Sequence, residues 1–128
     1  MNHATSQREA RGRPMSNLEL AESFGSVSPA LRTALDLHLK AHGTLIPHVF
    51  MGTVLAHVKS SLPPGPVAEP AAEVAGILET LERGMDAGER ETRNVISISF
   101  VREAEGEPYF AVIAPLLGPR VRAQLLAR

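Results

Sequence analysis

The sequence predicts an all-α domain, a compact stack of five to seven short helices. Helix start and stop residues bracket the apolar segments, and apolar positions recur at three- and four-residue spacing. A 44% hydrophobic content over 128 residues is enough for one buried core. One segment, residues 94–101, leaves an α+β alternative open.

Residues 1–15 are polar and Arg-rich, with Gly12 and Pro14. Their apolar surface is too small to offset the entropy of ordering, so a disordered tail is expected, followed by a single helical domain over 16–128. Ser16 can accept a first-turn N–H while Glu19 reaches back, a capping box that opens a short helix with Leu18, Leu20 and Phe24; Gly25 is expected to stop it. Ser28-Pro29 is a second start, because proline at the first helical position lacks only an N–H that has no helical partner. Leu31, Leu35, Leu39 and His42 follow on one line, and Gly43 is the expected C-cap. Pro47 opens a third helix to about Ser60, with Phe50, Val54 and Val58 aligned and Met51 and Leu55 beside them. The Pro-rich stretch 62–66 cannot continue it and reads as a stiff linker. From about Ala68 to Ala87, Val74, Ile77, Leu78, Leu81 and Met85 make one apolar stripe, and Gly88 ends the helix.

In Asn94-Val95-Ile96-Ser97-Ile98-Ser99-Phe100-Val101 the alternation of branched and aromatic residues with serines suits a strand. A 95–101/109–114 β-hairpin is therefore the alternative; on a helical wheel the same residues suit a helix buried on several sides. Gly118-Pro119 then restarts the chain into a terminal amphipathic helix carrying Val121, Leu125 and Leu126.

A net charge of −1 conceals an uneven distribution, since residues 69–107 hold ten acids against four bases. Such a body repels polyanions, so no nucleic-acid partner is expected. The absence of cysteine excludes disulfides and thiolate chemistry, and no run approaches membrane-spanning length; a cytoplasmic protein with no membrane partner is expected.

Three phrases, Leu45-Ile46-Pro47-His48-Val49-Phe50-Met51-Gly52, Asn94-Val95-Ile96-Ser97-Ile98-Ser99-Phe100 and Leu117-Gly118-Pro119-Arg120, together resemble a family of small, uncharacterised bacterial helical domains, some of them grouped with the immunity proteins of toxin systems. The likeness spans roughly residues 28 to 127. It implies a stack of paired helices and a protein partner such as a toxin, and it brings no catalytic residues with it.

Two clusters carry candidate chemistry. His38 and His42 share a helical face at a spacing that can grip one metal ion, and His48, His57 or Asp36 could supply a third ligand locally, with His38, His42 and His48 the candidate set; a metal-binding enzyme or sensor is the alternative function. The competing reading makes His42 a dipole-favoured residue at a helix C-terminus and His48 a helix-boundary residue. Ser97 and Ser99 lie in an apolar run, without a glycine-flanked elbow or a base at a recognisable spacing, and read as packing residues. The second cluster is acidic: Glu79, Glu82, Asp86, Glu89 and Glu91 gather around one helix end. They are either a solvated face or a surface that captures a basic partner, where complementary charge speeds encounter. The favoured expectation is a non-enzymatic protein-interaction domain, immunity-like, with no cofactor.

Overall fold

The computed structural model describes residues 13–62 and 72–126. These fold into seven helices and no strand. They are α1 (Asn17–Val27), α2 (Pro29–His42), α3 (Pro47–Ser61), α4 (Ala72–Ala87), α5 (beginning Arg90–Ile96), α6 (Phe110–Ile113, ending in the 3₁₀ turn Ala114–Leu116) and α7 (Pro119–Leu126). The expected tail and linker fall mainly on residues 1–12 and 63–66, outside the described residues. Residues 13–15, assigned to the tail, are bonded to the body. Met15 donates its N–H to the Ala87 carbonyl at 2.7 Å and accepts from the Glu89 N–H at 2.9 Å, strapping the start of the fold to the α4–α5 corner.

Local chemistry explains the element boundaries. The Ser16–Glu19 capping box is present in both directions. Gly25 does not stop α1, which runs on to Val27. A Cβ at Gly25 would stand 3.1–3.4 Å from Arg32, so this glycine serves the close approach of α1 and α2. Ser28 ends α1 and begins α2 at once: its N–H bonds the Phe24 carbonyl, and its buried hydroxyl accepts from the Leu31 N–H at 3.1 Å. Gly43 closes α2 in the left-handed region, at φ 74°, where glycine carries no Cβ penalty.

Helix α4 is central. Its buried Val74, Ile77, Leu78, Leu81 and Met85 face a core supplied by α1, α3, α5 and α7. The ambiguous segment is helical and the hairpin alternative is overturned. After Ile96, α5 widens into a π-helical stretch, Ser97–Arg102, and closes with Glu103–Glu105. The expected partner strand 109–114 is Tyr109, the N-cap of α6, followed by α6 and the start of its 3₁₀ turn. Val95, Ile96, Phe100 and Val101 are all buried, with the π stretch packed against α3 and α7. Burial on several sides is what made the segment apolar without a single stripe. Among the described residues, no helix is long and apolar enough to cross a membrane.

Candidate partner-binding groove

The histidines fold apart. His38 is 8% exposed, and its Nε2 accepts the Ile46 N–H at 2.9 Å, which fixes the neutral tautomer with the proton on Nδ1. Its ring meets Phe50 edge-on at 5.5 Å and tilts over His42 at 4.6 Å. Burial, helped by the neighbouring His42, lowers its pKa. The same nitrogen cannot hold both the Ile46 proton and a metal ion. His48 turns its Nδ1 to the Ser99 hydroxyl at 2.5 Å, joining α3 to the π stretch. His57 lies 3.2 Å from Glu73. Among the described residues no group of three or more His, Asp or Glu is placed to hold a metal ion, so His38, His42 and His48 are not a ligand trio.

Ser97 and Ser99 are more than packing residues. Ser97 donates to Gln124 Oε1 at 2.7 Å, and Ser99 bonds His48. The Ser99–His48 pair has the reach of a nucleophile and its base. Among the described residues, however, no carboxylate bonds the other ring nitrogen, and Ser99 lies mid-helix rather than on a sharp turn beside free backbone N–H groups.

The acidic residues have unequal roles. Glu82 is half-buried and sits over the N-terminus of α7, where its carboxylate accepts from the Arg120 N–H at 2.9 and 3.1 Å and from the Val121 N–H at 3.0 Å. It is a helix cap supplied by another helix. Asp86 pairs with Arg120 Nε at 2.9 Å, and Glu91 accepts from the Asn17 amide at 2.6 Å. Glu79 and Glu89 are exposed and hold no side-chain partner among the described residues. The group is thus dispersed over capping, pairing and solvation rather than gathered into one free acidic face.

What the sequence reading missed is a groove of about 550 Å³ between the end of α4, the start of α5 and α7. Its walls include Asp86, Arg90, Arg93, Asn94, Arg120 and Gln124. Arg90, Arg93, Asn94 and Ser97 stand at i, i+3, i+4 and i+7, one face of α5; Arg120, Ala123 and Gln124 repeat the spacing on α7. That polar stripe opposite buried Thr92, Val95 and Ile96 is the signal that could have found it. The Ser97–Gln124 bond ties the two walls together. Arg120 is engaged by Asp86 and approaches Glu82 at 3.7 Å. The Arg90 and Arg93 side chains are exposed and have no partner among the described residues.

No family model, no curated protein and no solved structure matches this chain.

Proposed function

We propose that this chain is a non-catalytic protein-interaction domain that receives its partner at the groove between α4, α5 and α7. The observation that carries this reading is the pair of unpartnered guanidiniums, Arg90 and Arg93, on the wall of an open concavity whose helices are locked by the Glu82 cap and the Ser97–Gln124 bond. Rigid walls cost little ordering entropy on binding, and arginine is among the residues enriched at interface hot spots. The partner-binding surface expected at Glu79, Glu82, Asp86, Glu89 and Glu91 is thereby moved next door and reversed in sign. Masking of a toxin, which the sequence resemblance implies, is one use such a surface would serve.

A photo-crosslinking amino acid at Asn94, inside the groove, tests the reading against the same group at Thr33 of α2, which contributes nothing to the groove. In the cells that make the protein, a defined adduct is expected from position 94 and not from 33. Identical adducts from both positions, or none from 94, would contradict it.

A further inference from the structure

The groove has a chemical preference, and naming it deepens the reading above and rests on it. We infer that it recognises the carboxylates of an acidic peptide segment on the partner. Three guanidiniums, those of Arg90, Arg93 and Arg120, line it against one carboxylate, Asp86. A guanidinium is a planar fork of N–H donors whose geometry matches a carboxylate.

The groove already shows this chemistry internally. Arg120 holds the Asp86 carboxylate through Nε at 2.9 Å, while Arg90 and Arg93 carry unspent donors. Gln124 adds more: its amide oxygen is taken by Ser97, which leaves the amide N–H₂ without a partner among the described residues. The lining therefore offers donors in excess of acceptors, the arrangement an anion satisfies.

The surroundings choose among anions. In sequence, Glu79 and Glu82 precede the groove's Asp86 on α4 and Glu89 and Glu91 bracket its Arg90, and the 69–107 region has ten acids against four bases. A nucleic-acid backbone would have to lie across those charges. A short segment presenting one or two carboxylates into the groove avoids them. Asp86 is then a built-in competitor: it keeps Arg120 paired when the partner is absent and sets the threshold a partner carboxylate must exceed.

The test is an NMR titration of the full chain, reading backbone amides and arginine Nε–H signals, with acetylated tetraglutamate amide as the probe. Inorganic phosphate and a short single-stranded oligonucleotide are the competing arms, all at one ionic strength. Saturable shifts at Arg90, Arg93 and Gln124 are expected with the peptide, with weaker responses to phosphate and oligonucleotide. Arg93→Gln should weaken the peptide by about tenfold, the scale of one charge-assisted hydrogen bond. Asp86→Asn should tighten it by freeing Arg120, and Arg102→Gln, outside the groove, should change nothing. Tighter binding of phosphate or oligonucleotide, an unchanged affinity in Arg93→Gln, or unchanged or weaker binding in Asp86→Asn would overturn the inference. The titration needs no natural partner, so its failure is distinct from that of the crosslinking experiment.

Discussion

Glu82 of α4 accepts the backbone N–H of Val121 at 3.0 Å, so the last helix begins on a carboxylate that belongs to the central one. The contact also explains Gly118, where a Cβ would stand 2.5 Å from that carboxylate. A side chain at position 118 would compete with Glu82 for the space beside the α7 N-terminus.

Glu82→Ala should cost about 1–2 kcal/mol in urea unfolding, the usual scale of a lost helix cap. Gly118→Ala should cost a similar amount by pushing Glu82 aside. Because both remove one interaction, the double variant should fall well short of the sum. Full additivity would show that the cap is not what Gly118 protects.

The start and stop signals in this fold were legible because they are local. Ser16 with Glu19, Ser28 with Pro29, and Gly43 at positive φ act within one helical turn, and each stands where its chemistry places it. Gly25 misled because its role lies across a helix–helix contact with Arg32, which no local pattern reveals. The 94–101 segment read equally as strand or helix because a π stretch buried against α3 and α7 has no single apolar stripe. Glu82 looked like part of a solvated acidic face until the fold brought Gly118 to it. The groove escaped notice for the same reason: its arginines come from two helices that only the fold makes neighbours.

His38 should make stability fall under mild acid. Its pKa is lowered in the folded state, so between the folded and unfolded values the unfolded chain binds more protons. The contribution is complete above the ordinary imidazole range and is lost as pH falls through it, because protonation breaks the bond from the Ile46 N–H. His38→Ala should cost about 1–3 kcal/mol at neutral pH and flatten this part of the pH–stability curve. In calorimetry, zinc should show no stoichiometric uptake that depends on His38; such uptake would restore the metal site.

Ser28 should couple to Glu73. The Ser28 hydroxyl donates to the Glu73 carboxylate, and this bond, aided by His57, lowers the Glu73 pKa against the opposing effect of burial. Stability from Glu73 is therefore present above the ordinary carboxylate range and lost as pH falls through its depressed folded value. Ser28→Ala should cost about 1–2 kcal/mol and shrink the acid-dependent loss. A pH profile identical to that of the unsubstituted protein would contradict the assignment.

Gly88 should tolerate no side chain. A Cβ there would lie 2.2 Å from the Gly84 carbonyl oxygen and 3.0 Å from the Thr92 side chain, at the corner where Met15 is strapped down. Gly88→Ala should destabilise by about 1–3 kcal/mol, with faster amide exchange at Glu89 as the local readout. Unchanged exchange there would place the strain elsewhere.

The most direct measurement of the central claim is the affinity for acetylated tetraglutamate amide, by calorimetry, of Arg93→Gln beside Arg102→Gln, both exposed arginines of one continuous helix. Recognition through the groove predicts about a tenfold loss and a shallower salt dependence for the first, with no change for the second. Equal affinities for the two variants would contradict it.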